Sequence, residues 1–516
     1  MQLTRSTGTK DNSAAKDKSI ARYLERYAEP EHRQITENKP MLHRLGTVQN
    51  ILALPCYAED IENLHRFTSF LRAQQNTLLI RVLNQPESLA PEETDIARER
   101  NQSWLDYLSS QGLAFFAQNH FYCYQIDQSF VLCLDRFRDK PIPRKQGVGL
   151  ARKIAADIAL SLAHNGIVAT DYIYSTDADC TLPDDYFSAS EKQRSDVPAA
   201  AKVLPFQHVD QCGKAVSMAS PDAISAATAL YEERLKGYCQ GLARAGSPYA
   251  YHSMGSCLCI NMRAYAKVRG FPRRSAGEDF YILNKLRKLG SIETGSCSPI
   301  KITARVSQRA PFGTGSAVAD MLANIGRDAF VEPSACKEPS ACKEPSACKE
   351  PSANEEPSAE KEPSASKKPS GYKDSLAHGE SATSKTLLAA KIYYPSEVFE
   401  ALGIFLLWQA ELAQNAVNQV DDWRYSLAKY CERTHSGFVL RGISADDIVS
   451  ATEIIKFDEA ISHLRSQHLD KEKAAFHLFC WFDAFKTLRW IHALQATAQI
   501  DFRTLAETRV DSQRNQ

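Results

Sequence analysis

The chain reads as an α/β protein, a domain with a largely parallel sheet followed by a C-terminal α-helical region. Three observations predict this. Between residues 46 and 331, short apolar runs alternate with stretches of helical periodicity, the pattern of strands joined by crossover helices. Residues 332–385 form a polar segment that carries almost nothing to bury. Beyond it, residues 386–516 hold long apolar-rich stretches, Val398 to Leu412 and Ala474 to Leu494, free of proline.

Residues 1–45 are polar and charged and read as an N-terminal extension, with a short helix at Ala21 to Tyr27 as its one structural hint. Val48 to Leu54 reads as a buried strand ending at Pro55, and Leu78 to Leu83 as a second ending at Asn84. Phe130 to Leu134 is a third. Leu150, Ile154, Ile158 and Leu162 recur every four residues and mark one face of a helix, which Gly166 stops. Tyr172 to Thr176 and Ile300 to Val306 are further strands.

From Glu332 the sequence runs EPSACK three times, then EPSANE, EPSAEK, EPSASK and KPSGYK. Proline in every copy blocks helix continuation and removes sheet donors. A segment so poor in apolar residues cannot offset the entropy of ordering, so a disordered or polyproline-like linker is expected. Its Cys336, Cys342 and Cys348 read as products of repeat expansion rather than as metal ligands. In the C-terminal stretch, Phe476, Phe479, Trp481, Phe482, Phe485 and Trp490 are expected to be core, and His477 and His492 likewise.

Charge and cysteine usage narrow the function. The 62 basic and 62 acidic residues cancel to a formal net charge of +0, which removes the broad electrostatic case for a nucleic-acid partner. The 14 cysteines of the chain form no C-x-x-C pair, which suits a reducing compartment. No apolar run approaches the roughly 20 residues of a membrane helix, and the first residues lack the apolar core of a secretory signal. A cytoplasmic protein, soluble or peripheral to a membrane surface, is expected.

Chemistry is densest in YIYSTDADCTLPDDYF, residues 172–187. A strand delivers Asp177-Ala178-Asp179 at its carboxyl end, where open α/β sheets bind ligands. Two carboxylates at this spacing suit a hard divalent cation, Mn²⁺ or Mg²⁺, and such a cation would offset their repulsion from a nucleotide diphosphate. Further on, GEDFYILNKLRKLG, residues 277–290, places Glu278 and Asp279 in the first turn of a helix whose inner face is Phe280, Leu283, Leu286 and Leu289. Helix dipoles favour acidic residues there, and the same position suits a general base for an acceptor hydroxyl. In RVSQRAPFGTGSA, residues 305–317, Arg305 and Arg309 suit phosphate oxygens. Cys257 and Cys259 alternate on a strand and are expected to pack in the core.

Taken in order, these pieces resemble the family-two glycosyltransferases of GT-A fold. LALPCYAEDIENL (residues 52–64) resembles the first strand and nucleotide loop, and GVGLARKIAADIA (residues 147–159) the helix with an Ala-Arg-Asn-like signature. Asp177-Ala178-Asp179 matches the Asp-x-Asp motif, and residues 277–290 the acceptor-side Glu-Asp helix. The resemblance implies a metal-dependent, inverting transfer of a sugar from a nucleotide-diphosphate donor to a glycan, lipid-linked or small-molecule acceptor. It implies that Pro55, Tyr57 and Glu59 lie near base and ribose, and that Arg152 helps hold the nucleotide. Asp177 would meet ribose or metal, Asp179 would be the principal metal ligand, and Arg305 and Arg309 would clamp the diphosphate. Asp279 would be the base, supported by Glu278. Two positions depart from the pattern: Asn84 stands where many members carry an acidic residue, and Lys153 where the family has Asn. Two rivals are a catalytically retired domain serving as a binding or scaffold protein, and a sugar nucleotidyltransferase, whose Gly-rich phosphate loop is replaced here by Pro55-Cys56-Tyr57-Ala58-Glu59.

Overall fold

The computed structural model describes residues 17–190, 197–307, 313–325, 393–414, 422–434, 442–467 and 469–503. The hexapeptide repeat, with its cysteines, lies outside them. The chain is a mixed α/β domain with a large sheet, followed by a helical region.

The N-terminal segment is built into the domain. It forms α1 (Lys18–Arg26), α2 (Glu31–Thr36) and α3 (Lys39–Leu45). Ile20, Tyr23 and Leu24 follow an i, i+3, i+4 spacing, one helical face. They are buried with Ile35, Met41, Leu42 and Leu45 in the core of the α/β domain. Asp17 caps α1, its carboxylate accepting from the Ser19 N–H at 2.7 Å. The segment looked like a polar extension because its buried face is narrow, only a few residues per helix.

The domain continues with β1 (Asn50–Cys56), α4 (Ile61–Ala73), β2 (Thr77–Asn84) and α5 (Pro91–Gln111). A meander follows, β3 (Leu113–Gln118), β4 (Phe121–Ile126) and β5 (Ser129–Arg136), then α6 (Gly147–His164), β6 (Tyr172–Ser175) and β7 (Cys180–Thr181). Next come β8 (Ala201–Val203), β9 (Phe206–Val209), α7 (Ala223–Arg244), β10 (Leu258–Asn261) and α8 (Met262–Lys267). The domain closes with α9 (Glu278–Arg287), β11 (Ile292–Thr294), β12 (Ile300–Thr303) and α10 (Thr314–Ile325). Among the described residues, the large sheet has the order β11-β8-β10-β6-β1-β2-β5-β4-β3 and a small sheet the order β7-β12-β9. The centre, β6-β1-β2-β5, is parallel; β10 on one side and β4 on the other pair antiparallel with it, and β3 pairs antiparallel with β4.

Two local expectations shift. The first strand continues through Pro55 to Cys56. It pairs with β6 only at Leu52 and Ala53, so the donor that proline lacks falls beyond that ladder. Helix α6 is buried on all sides rather than on one face, from Gly149 through Ala163, because α1 and α2 cover the side opposite the sheet. Its buried polar residues therefore need partners. Asp157 accepts from Tyr23 Oη (2.6 Å), Tyr265 Oη (2.8 Å), Lys153 Nζ (2.8 Å) and the Glu29 N–H (2.8 Å). Lys153 thus ties α6 to the N-terminal segment.

The helical region comprises α11 (Ser396–Gln414), α12 (Trp423–Thr434), α13 (Ala445–Ile454), α14 (Phe457–Gln467), α15 (Lys471–Trp481) and α16 (Ala484–Thr497). The apolar stretch from Ala474 to Leu494 is two helices, not one. Asp483 breaks it by capping α16, accepting from the Phe485 and Lys486 N–H groups. Of the aromatic stripe, Phe482 and Trp490 are core, whereas Phe476 is 47% exposed. The stripe cannot share one face once the helix is broken. His492 bonds Tyr394 Oη at 3.0 Å. No helix of the described residues is long and apolar enough to cross a membrane.

Candidate functional site

An acidic row at the carboxyl end of the parallel strands

The chain returns to one place from five directions. Strand β6 ends at Ser175 and delivers Asp177 and Asp179. Strand β7 follows at Cys180 and pairs antiparallel with β12, Ile302 opposite Cys180. That register carries the chain past β12 back toward Asp179, and Arg305 Nε and Nη2 both bond Asp179 Oδ2, at 2.9 and 2.5 Å. The expected strand to Val306 therefore stops at Thr303, leaving Arg305 outside a ladder.

Helix α6 supplies Arg152, which is 1% exposed. Its Nη2 bonds Asp177 Oδ1 at 2.7 Å and its Nε bonds Glu278 Oε1 at 3.1 Å. Its Nη1 donates to Ser175 Oγ (2.8 Å) and to the Gly255 carbonyl (2.9 Å). Every nitrogen of the guanidinium is thus engaged by protein. Arg152 joins the Asp-x-Asp turn to the start of α9, and it does so without a free edge to offer a nucleotide.

Backbone geometry places α9. Gly277 precedes it with φ 72°, a left-handed conformation that favours glycine. Upstream, the segment 272–274 presses on α6 at Gly149, where an added Cβ would meet Pro272 O at 2.4 Å and Arg274 O at 2.6 Å. The Gly149 N–H donates to Arg274 O at 2.9 Å. Glu29 on the N-terminal segment holds Arg273 at 2.7 Å. Glu278 is buried against Arg152, and its carboxyl is raised, by burial first, against the lowering pull of Arg152. Asp279 is half-buried and its carboxyl is pushed up to about 7, by burial and then by Glu278 beside it. Helix α9 ends at Arg287, so Leu289 is 50% exposed rather than on the buried face. Phe280 turns instead to Phe485 of α16, with ring centres 4.6 Å apart.

The loop after β1 forms the far end of the row. Tyr57 is half-buried, and Glu59 acts on the Arg305 guanidinium. The loop is held from α5: Asn101 Oδ1 accepts from the Ala58 N–H, Arg100 bonds Ala58 O, and Trp104 Nε1 donates to Glu59 O at 3.0 Å. Asn84 is buried, its amide donating to Cys56 O (2.9 Å) and Val82 O (3.2 Å). An ionised acidic side chain could donate neither bond, so at this position the departure from the resembled pattern serves the loop. Pro55 lies buried in β1 beneath it. Arg309 lies outside the described residues. Sequence reading had no signal for Asn101, Trp104 or Ser175, whose roles exist only through contacts across the fold. Cys257 and Cys259 are buried and free.

The row therefore runs Glu59, Arg305, Asp179, Asp177, Arg152, Glu278, Asp279. Five carboxylates face two guanidiniums. Among the described residues no group of three His, Cys, Asp or Glu side chains is placed to hold a metal ion by itself. Asp177 and Asp179 fit a different kind of site, in which one or two carboxylates and a ligand's phosphates share a cation that keeps waters. Compared with known proteins, the chain matches no family model and no curated protein.

Proposed function

We propose that the chain is a glycosyltransferase of GT-A type, moving a sugar from a nucleotide-diphosphate donor to an acceptor hydroxyl. The observation that carries this reading is the Arg152 bridge, which binds the Asp-x-Asp turn, 25 positions on from it, to the Glu278-Asp279 turn, 126 positions on. It sets a cation-suited pair of carboxylates and a carboxyl of raised pKa in one connected row at the carboxyl end of parallel strands.

In this reading Asp177 and Asp179 hold Mn²⁺ or Mg²⁺, which supplies charge for the departing diphosphate. Tyr57 and Glu59 flank the base and ribose. Asp279 takes the acceptor hydroxyl proton. The new bond forms between that oxygen and the anomeric carbon, while the bond to the diphosphate oxygen breaks and its electron pair leaves with the nucleotide. Direct displacement inverts the anomeric centre. Glu278 and Arg152 act as positioning residues, because neither presents an edge to a ligand.

The test is Asp279→Asn. Thermal stabilisation by Mn²⁺ with a panel of UDP-, GDP- and TDP-sugars should persist, while transfer falls by about 10²–10⁴-fold. Undiminished turnover would remove Asp279 from the reaction. Absence of any nucleotide response in the unsubstituted protein would favour the catalytically retired domain serving as a binding or scaffold protein.

A further inference from the structure

The Arg305–Asp179 contact has a consequence for how the site fills. Arg305 places two donors on one oxygen of Asp179, the side chain the glycosyltransferase reading makes the principal cation ligand. A guanidinium seated on that oxygen opposes, by its charge, a divalent cation drawn to the same carboxylate. The two cations are also unequal in freedom. Arg152 is sealed, with each of its nitrogens bonded to protein, whereas the Arg305 side chain is 40% exposed and bonds Asp179. Its backbone follows β12 outside any ladder, and the segment is secured at Ala304, whose N–H donates to Val209 O at 2.8 Å.

We propose that Arg305 is a latch on the cation site: it occupies Asp179 when the site is empty and transfers to the donor diphosphate when cation and nucleotide arrive together. This rests on the glycosyltransferase reading for its donor and on the ion pair for its closed state. The charge inventory supports it. Glu59, Asp177 and Asp179 all act on Arg305, so an open site without the guanidinium would gather three carboxylates with only Arg152 nearby. A cation alone meets the Arg305 charge beside Asp179, and nothing new receives the guanidinium. A cation bringing a diphosphate provides new acceptors, and a guanidinium suits phosphate oxygens. Cation and nucleotide are then positively coupled, each favouring the other equally.

The experiment measures Mn²⁺ binding by electron paramagnetic resonance and calorimetry, with Mn²⁺ alone and with UDP or GDP, on the full chain. In the unsubstituted protein, a nucleoside diphosphate should tighten Mn²⁺ by about tenfold or more. Arg305→Gln should bind Mn²⁺ alone about tenfold more tightly and show a coupling reduced toward one. Mn²⁺ affinity unchanged by Arg305→Gln would overturn the latch. If no nucleoside diphosphate binds either protein, the donor reading falls, and the Mn²⁺-alone arm still judges the latch. Should the Gln variant melt early, Arg305→Lys, which keeps the charge without the fork, replaces it. A smaller gain in Mn²⁺ affinity is then expected, and no gain overturns the proposal.

Discussion

The two arginines of the acidic row occupy contrasting environments. Arg152 is sealed inside α6 and meets Asp177, Glu278, Ser175 and a backbone carbonyl. Arg305 stands at the open end and bonds one oxygen of one carboxylate. The same side chain thus does two jobs. A buried guanidinium with every nitrogen bonded is a fixed structural joint, because removing it strands the buried Glu278 carboxyl. A partly exposed one held by a single carboxylate gains less from its pair and is freer to exchange. Burial, rather than residue type, decides which arginine can meet a ligand.

The largest effect should come from the sealed end. Arg152→Met leaves Glu278 buried without its counter-charge, and a loss of about 3–5 kcal/mol is expected in chemical denaturation. A loss below about 1 kcal/mol, the range of exposed pairs, would show that the joint resembles Arg305 after all.

The pH response sharpens the contrast within α9. Asp279 is pushed up to about 7 by burial and Glu278. The folded state therefore holds a proton there that the unfolded state releases near pH 4. Its contribution to stability is full below that lower value and is lost as pH rises through about 7. Asp279→Asn should flatten this fall between about pH 4 and 7.5. Catalysis needs the ionised base, so transfer should gain about tenfold per pH unit below 7 and level off above it. A rate independent of pH over that range would exclude Asp279 as the titrating group.

The smallest effect concerns the join to the helical region. Asp483 caps α16 and also receives Asn284 of α9 (3.0 Å) and Lys288 just past its end (2.8 Å). Asp483→Ala should cost about 1 kcal/mol, the worth of a cap. If α16 braces α9, the variant should also slow transfer modestly with donor binding unchanged; an unaltered rate would confine Asp483 to capping.

Much of the site was legible before any coordinates. Asp177 and Asp179 follow an apolar run that could only be a buried strand, and Gly277 announces the start of the helix bearing Glu278 and Asp279. Other parts were hidden. The period-four apolar positions of α6 marked only one face, yet Arg152, Lys153 and Asp157 elsewhere on that helix are buried too. Lys153 looked like a departure from a motif and is instead a partner of Asp157, Tyr23 and the N-terminal segment. The break at Asp483 was masked because a capping aspartate inside an apolar stretch looks like one more polar residue.

The sequence by itself determined the alternation of strands and helices, the helical character of the C-terminal region and the acidic turn after β6. Those features depend on local periodicity and on residues close together in the chain. Only the tertiary structure decided which charges are buried, which carboxylate each arginine holds, and that α1 and α2 close the outer face of α6. Burial and ion pairing depend on what the rest of the chain packs against a residue, and neighbours more than a hundred positions away leave no mark on local pattern.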